Sequence, residues 1–116
     1  MARATAGHGR LLRLVLAEHG TSIAGIGLML IDWPPHPAHP QQDRRGYVLN
    51  VYVEPPYRRR GIARRLMALA DAAFAERGVD YAVLHATAQG QPLYADLGWA
   101  ATSEMARTLH TGSAAP

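Results

Sequence analysis

A change in the spacing of apolar residues between positions 46 and 87 constrains the fold more than any other feature of the sequence. Residues 46–53 are rich in β-branched and aromatic side chains and predict a strand, which two consecutive prolines end. Residues 62–77 repeat apolar side chains at helical spacing, and Gly78 is typical of the position after a helix. Residues 80–87 are almost continuously apolar, as in a strand covered on both faces. The order strand, helix, strand predicts a right-handed crossover between two parallel strands.

The segments before this crossover predict antiparallel strands. Two apolar runs, residues 11–17 and 23–31, are joined by a short polar link, which predicts a hairpin that turns at His19 and Gly20. Residues 33–45 contain four prolines, which exclude a helix and an inner strand and therefore predict a loop. The first strand is placed at residue 11, so only about ten residues precede it.

Short elements are predicted after the crossover. Pro92 and Gly98 bracket a short helix over residues 93–97, and residues 99–109 are expected to supply one or two last strands. At 116 residues and 48% apolar content, the chain is long enough for one domain with a buried core. We therefore expect an α/β fold in a single domain, residues 1–116, with a mixed, mostly antiparallel sheet and one parallel crossover.

The basic charge of the chain is concentrated in one region. Lysine is absent, so all 12 basic residues are arginines. Seven of them lie in one short stretch, opposed there only by Asp43 and Glu54: Arg44, Arg45, Arg58, Arg59, Arg60, Arg64 and Arg65. A local surplus of this kind indicates a phosphate-bearing partner, which can be a nucleotide cofactor or a nucleic acid.

Other chemistry is excluded by composition. Cysteine is absent, so there is no disulfide framework, no thiol nucleophile and no cysteine zinc site. This composition fits a reducing interior, and we expect a cytoplasmic protein. The most apolar run is too short to span a bilayer, so no membrane partner is expected. His36 and His39 have a spacing that can bind metal, but their proline-rich loop offers no clear third ligand, so no metal is expected.

Residues 54–63, which connect the predicted strand to the predicted helix, have the features of an anion site. The first turn of a helix leaves backbone N–H groups without partners, and the helix dipole favours negative charge there. Gly61 removes a side chain that would obstruct a phosphate, and Ala63 keeps the next turn low. The segment is neither a P-loop nor a dinucleotide fingerprint, because it lacks the Gly-Lys-Ser/Thr ending and the three-glycine spacing.

The stretch from Arg58 to Ala63, Arg-Arg-Arg-Gly-Ile-Ala, resembles the Arg/Gln-x-x-Gly-x-Gly/Ala motif of the GNAT family of N-acetyltransferases. The resemblance extends upstream to Val-Glu-Pro at residues 53–55. Downstream it includes Leu-Tyr-x-x-Leu-Gly-Trp at residues 93–99, where the family has Phe in place of Trp. It covers roughly three-quarters of the chain, from Leu11 onward. The spacing between these elements makes the combination more specific than the six-residue motif alone.

The resemblance implies a GNAT-like fold whose crossover binds acetyl-CoA, the co-substrate of an N-acetyltransferase that moves acetyl directly to an amine without a metal. In such a fold, the pantetheine arm enters between the two parallel strands, and the start of the helix binds the diphosphate. The resemblance assigns these residues to acetyl-CoA: Val51, Tyr52, Val53, Arg58, Arg59, Arg60, Gly61, Ile62, Ala63, Arg64 and Thr87. Many family members have Asn where this chain has Thr87, so the polar contact there is expected to differ.

Two residues are assigned to proton transfer. Tyr94 aligns with the tyrosine that protonates the departing thiolate in many family members, and the ordinary tyrosine pKa of about 10 lies near that of an alkyl thiol. Glu54, the one acid in the core of the motif region, is the candidate that accepts the proton of the amine through a water.

Simpler interpretations stay open beside these. Arg58–Arg60 can be a solvated basic turn, Tyr94 an aromatic that packs a short helix onto the sheet, and Glu54 a solvated residue or an ion-pair partner. His85 fits a hydrogen-bonded core histidine, although its place near the gap also allows contact with an acceptor. Two other functions also stay open: an acyl-CoA-binding sensor without catalysis, and an arginine-rich nucleic-acid-binding module. The module ranks third, because the chain shows no recognition helix.

The acceptor side carries no clear motif. A GNAT domain usually begins with a strand and two helices that wall the acceptor groove, and no counterpart is found before residue 11. We therefore expect either a homodimer, in which a second copy supplies the missing wall, or a truncated chain. The acceptor can be a small amine, an antibiotic, a peptide N-terminus or a protein lysine.

Overall fold

The strands of the sheet neighbour one another in chain order. The computed structural model describes residues 2–6, 11–35, 37, 40–41 and 43–109. The described strands are β1 (Ala2–Ala6), β2 (Leu11–Glu18), β3 (Thr21–Asp32), β4 (Arg44–Val53) and β5 (Ala82–Leu84), in the sheet order β1-β2-β3-β4-β5. The helices are α1 (Ile62–Glu76) and α2 (Gln91–Asp96), and a single 3₁₀ turn covers Pro55–Tyr57. The strands β1 to β4 pair antiparallel and β4 pairs with β5 in parallel, which confirms the mixed, mostly antiparallel sheet with one parallel crossover.

The β2–β3 hairpin turns at His19 and Gly20, as predicted. Their φ angles are 52° and 79°. Two left-handed residues are typical of a type I′ hairpin loop, whose twist matches the twist of the flanking strands. Leu16, Ile26 and Leu28 lie on the buried face of the hairpin.

Helix α1 covers this buried face and closes the core. Five of its side chains are buried there: Leu66, Met67, Ala70, Ala73 and Phe74. The helix ends at Glu76, and Gly78 follows with φ 71°, as predicted for the residue after a helix C-terminus. Neither described helix has the length and apolar content needed to cross a membrane.

Three predictions about the edges of the sheet are wrong. The sheet does not begin at residue 11, because β1 pairs antiparallel with β2, although the described residues before β2 include no helix. The β1 sequence, Ala-Arg-Ala-Thr-Ala, has no large apolar residue that would mark a strand. Strand β5 is shorter than residues 80–87, because its pairing with β4 ends at Leu84. Residues 99–109 form no strand, and most of them are exposed. The predicted second helix is present, but it begins at Gln91.

Candidate active site

A β-bulge interrupts the pairing of β4 with β3. Two residues of β4 lie opposite one residue of β3, between the pairs Gly25↔Tyr52 and Gly27↔Leu49. At the bulge, Asn50 has φ 54°, a left-handed conformation that asparagine tolerates better than most residues. A bulge leaves an extra residue unpaired and bends the strand. It lies at the start of the stretch to which the sequence assigns the pantetheine arm.

The opposite edge of the same stretch borders a gap. Strand β4 pairs with β5 from Gly46↔Ala82 to Val48↔Leu84, and the described chain forms no further pair beyond that point. The backbone groups of residues 49–53 on this edge therefore have no β5 partner. Val51 and Val53 are half-buried and pack against the core, so their side chains hold the strand end in place while its backbone borders the gap.

The turn between β4 and α1 has two residues in the left-handed region. Arg59 has φ 64° and Gly61 has φ 74°, and Arg58 Nε donates a hydrogen bond to the carbonyl oxygen of Val53 at 3.0 Å. A Cβ atom at Gly61 would meet no atom of the described chain within 4 Å. The backbone angle, rather than crowding, therefore makes glycine the suited residue at this position. The room that Gly61 leaves for a phosphate stays a prediction.

The N-terminus of α1 presents backbone N–H groups. The first hydrogen bond of the helix runs from Arg65 N–H to the Gly61 carbonyl oxygen at 3.1 Å. No side chain caps the helix, and no acid lies in its first turn. The N–H groups of Ile62, Ala63 and Arg64 precede that first bond, and together with the helix dipole they form an end that attracts anions.

The seven clustered arginines do not form one surface. Arg44 Nη2 donates to a backbone carbonyl just after α1 at 2.5 Å. The Arg45 guanidinium lies 3.7 Å from the ring centroid of Trp33 and 5.3 Å from that of Tyr81. Its side chain is only 13% exposed and pairs with Glu104 at 3.2 Å. Both arginines thus serve packing at the start of β4, and the charge near the N-terminus of α1 comes from the other five.

The arginines assigned to acetyl-CoA differ in their contacts. Arg64 forms an ion pair with Asp96, which ties α1 to α2. Arg60 lies 5.4 Å from the ring centroid of Tyr57, and Arg59 and Arg60 are both exposed. A hydrogen bond with Glu18 raises the pKa of Tyr57. Unlike Arg58 and Arg64, the arginines Arg59 and Arg60 form neither a hydrogen bond nor an ion pair from their guanidinium groups to the described residues.

Tyr94 lies in α2 and packs partly against the core. Its ring meets Trp99 edge-on, with 6.4 Å between the ring centroids. Burial raises the pKa of the Tyr94 phenol above its ordinary value. No described residue forms a hydrogen bond with its hydroxyl, which is therefore available to donate to another group.

Thr87 forms the turn that leads into α2. Its Oγ1 accepts a hydrogen bond from Gly90 N–H at 3.1 Å. Its carbonyl oxygen accepts hydrogen bonds from Gly90 N–H and Gln91 N–H, each at 3.0 Å. The hydroxyl keeps its proton and one further acceptor position for the predicted contact of Thr87 with acetyl-CoA.

His85 is not a core residue, so that interpretation of the sequence is wrong. It directly follows β5, is exposed, and stacks on Tyr47 with 5.5 Å between ring centroids and 29° between ring planes. His85 and Tyr94 both line a groove of about 610 Å³ that runs beside β5. The β4–β5 register accounts for the stacking of His85 on Tyr47. Tyr47 lies opposite Val83, and His85, two residues after Val83, lies on the same face.

Glu54 lies just after β4, on the side of β3. Its backbone N–H donates to the Ile23 carbonyl oxygen at 2.8 Å, and its side chain is exposed. Within the described ranges, no three potential metal ligands come together. His36 and His39, the two histidines whose spacing can bind metal, lie outside the described residues.

Comparisons with solved structures give the same architecture. A GCN5-related N-acetyltransferase from Ralstonia eutropha is 57% identical, with a TM-score of 0.82, over 87% of this chain and 66% of that chain. A predicted acetyltransferase with acetyl-CoA from Clostridium acetobutylicum is 29% identical, with a TM-score of 0.79, over 85% of this chain and 64% of that chain. The present chain thus spans slightly less than two thirds of either structure.

A more distant structure shares the fold. The ribosomal-protein-alanine N-acetyltransferase from Brucella melitensis is 22% identical, with a TM-score of 0.70, over 90% of this chain and 73% of that chain. No curated protein sequence matches the chain. The acetyltransferase (GNAT) family matches residues 3–99. With that match over most of its length, the chain belongs to the GNAT acetyltransferase family.

Proposed function

We propose that this chain is an acetyl-CoA-dependent N-acetyltransferase that moves an acetyl group directly to an amine. One observation carries the proposal: the backbone edge of β4 that has no β5 partner, residues 49–53, is followed after one turn by the uncapped N-terminus of α1. The pantetheine arm of acetyl-CoA contains amide groups that would form hydrogen bonds with this edge of β4. The diphosphate attached to the arm would bind at the N-terminus of α1. The acetyl-CoA in the similar Clostridium acetobutylicum structure supports this ligand.

The residues around the gap would divide the chemistry among them. Backbone N–H groups near the bulge would donate to the acetyl carbonyl oxygen, where negative charge develops as the amine attacks. The N–H groups of residues 62–64, with Arg59 and Arg60 beside them, would hold the diphosphate. The hydroxyl of Tyr94 would protonate the departing thiolate, since a phenol with its ordinary pKa of about 10 is protonated at neutral pH and burial raises the pKa of Tyr94 further.

Calorimetry with acetyl-CoA and free CoA tests the binding site. Gly61→Glu should abolish binding of both ligands, because it places a carboxylate beside the N-terminus of α1. Gly20→Glu is the matched control: Gly20 also has a positive φ, 79°, and open space around its Cβ position, but it lies in the hairpin turn. Binding unchanged in Gly61→Glu, or lost equally in both variants, would contradict the proposal.

Release of free thiol with a panel of small amines, aminoglycosides and peptides tests turnover. An N-acetyltransferase releases thiol only with its acceptor, and Tyr94→Phe should slow that release by about 10²-fold or more while acetyl-CoA still binds. A sensor without catalysis would bind acetyl-CoA and release thiol with none of the amines. A nucleic-acid-binding module would show affinity for nucleic acid that falls steeply with salt, and no response to CoA.

A homodimer that completes the acceptor side is part of the proposal. On the face of the sheet away from α1, several apolar side chains are only half-buried, among them Met29, Tyr47 and Leu49. A second copy would cover this face. Light scattering coupled to size exclusion measures the mass in solution, and a monomer at micromolar concentration would contradict the dimer. A cytoplasmic location stays a prediction from the composition.

A further inference from the structure

The face of the sheet on which His85 lies is fixed by the β4–β5 register. Gly46 and Val48 face α1, since Gly46 lies under Phe74 of that helix and Val48 is buried. Tyr47 therefore faces the other side, and so do its partner Val83 and, two residues on, His85. The stacked rings of Tyr47 and His85 span the two strands immediately beside the last pair, Val48↔Leu84.

Tyr94 approaches the same place from the opposite face. Helix α2 is joined to α1 through the Arg64–Asp96 ion pair, and Tyr94 packs against the core that α1 covers. The phenol and the imidazole nevertheless line one groove beside β5. Two groups able to transfer protons thus flank the end of β5, one on each face of the sheet.

Acetyl transfer needs one proton transfer on each side of the carbonyl carbon. The amine must lose a proton where it enters, and the thiolate must gain one where it leaves. Resting on the proposed function, we propose that His85 accepts the proton of the incoming amine, held in position by Tyr47, and that Glu54 does not.

The proposed step balances in protons and bonds. His85 takes one proton from the ammonium group and later gives it to solvent. The neutral amine forms the C–N bond, the C–S bond breaks, and Tyr94 gives its proton to the thiolate and regains one from solvent. The new amide nitrogen gives its surplus proton to solvent, so one proton is released for each acetyl group transferred.

The contacts of His85 and Glu54 favour His85 for this task. Among the described residues, no hydrogen bond or ion pair occupies the ring nitrogens of His85. The other ionisable groups around its groove are Tyr94 and Glu104, and the Glu104 carboxylate is paired with Arg45 at 3.2 Å. The backbone N–H of Glu54 is bound to β3, on the side of β4 away from β5, whereas His85 stacks on Tyr47 beside the last β4–β5 pair, where the gap begins.

Steady-state thiol release by His85→Ala tests the assignment. With the acceptor found in the amine panel, we expect kcat to fall by about 10²- to 10⁴-fold while the affinity for acetyl-CoA stays the same. Added imidazole should restore part of the rate in His85→Ala and should not raise the rate of the wild-type chain. His19→Ala, which removes the exposed histidine of the hairpin turn, is the matched control and should keep the wild-type rate.

The outcomes separate the two proposals. A wild-type rate in His85→Ala, a loss that imidazole does not reverse, or a larger loss in Glu54→Gln would overturn the role of His85 and leave the acetyltransferase proposal standing. Absence of thiol release by the wild-type chain with every amine would overturn both. A rate loss in His85→Ala that imidazole reverses, together with a smaller loss in Glu54→Gln, would support the role of His85.

Discussion

The ring of Phe74 occupies the space directly above Gly46, where a Cβ atom would lie 2.5 Å from the nearest ring carbon. Helix α1 and strand β4 therefore approach each other at a distance that only glycine permits. Since β4 carries the candidate acetyl-CoA edge and α1 the candidate diphosphate end, this contact sets the spacing between the two halves of the site.

Gly46→Ala should destabilise the protein by about 1–3 kcal/mol, because the added methyl group overpacks the contact with Phe74. Urea denaturation measures the loss. Phe74→Leu in the same background should return part of it, since leucine leaves room for the methyl group. If the two substitutions simply add, the contact is not the cause.

Arg64→Gln and Asp96→Asn separate a structural role of Arg64 from a ligand-binding role. The ion pair between the two side chains is about half-exposed, so breaking it from either side should cost about 0–1 kcal/mol of stability. If Arg64 contacts the diphosphate, Arg64→Gln weakens acetyl-CoA binding, whereas Asp96→Asn leaves it equal or tighter. Calorimetry on both variants is the measurement, and equal weakening would indicate that Arg64 acts only by joining the helices.

Arg45→Lys should loosen residues 99–109 without changing acetyl-CoA binding. An ammonium group cannot reproduce the planar contacts that the guanidinium makes with Trp33 and Tyr81 while also pairing with Glu104. Amide hydrogen exchange should therefore accelerate in the C-terminal segment. A large loss of acetyl-CoA affinity would mean that the start of β4 contributes to the site after all.

Tyr94 should ionise at a higher pH than free tyrosine, because burial raises its pKa. Its folded-state pKa lies above the unfolded value of about 10, so the stability that it contributes is complete below pH 10 and is lost as the pH rises through the folded pKa. An ultraviolet difference titration of the wild-type chain against Tyr94→Phe resolves the phenolate. Ionisation of Tyr94 below pH 10 would contradict the burial.

The crossover could be predicted because its signals are local. The change of period at residues 46–87, the glycine after α1 and the Arg58–Ala63 motif each depend on neighbouring residues only, and the structure contains the strand, helix and strand they indicate. The His19–Gly20 turn could be predicted for the same reason, since its left-handed angles follow from the link between the two apolar runs.

What the sequence did not reveal depends on contacts between distant residues. The side chain of Arg45 is largely shielded from solvent because Trp33, Tyr81 and Glu104 surround it, and no local sequence pattern marks an arginine of this kind. The stacking of His85 on Tyr47 follows from the parallel register, which only the folded sheet defines. Strand β1 lacks large apolar residues, so the hydrophobic pattern of the sequence could not predict its pairing with β2.

The extra residue at Asn50 has a consequence for the whole end of β4. Side chains of a strand alternate between its two sides, so one inserted residue reverses the orientation of all that follow. Val48 faces α1, and because of the insertion Val51 and Val53 do so as well, while Tyr52 covers Gly25 on the other side. Removing Asn50 would turn the two valines outward and the tyrosine ring toward the hydrophobic interior. The number of residues in this strand is therefore fixed by the packing of its side chains.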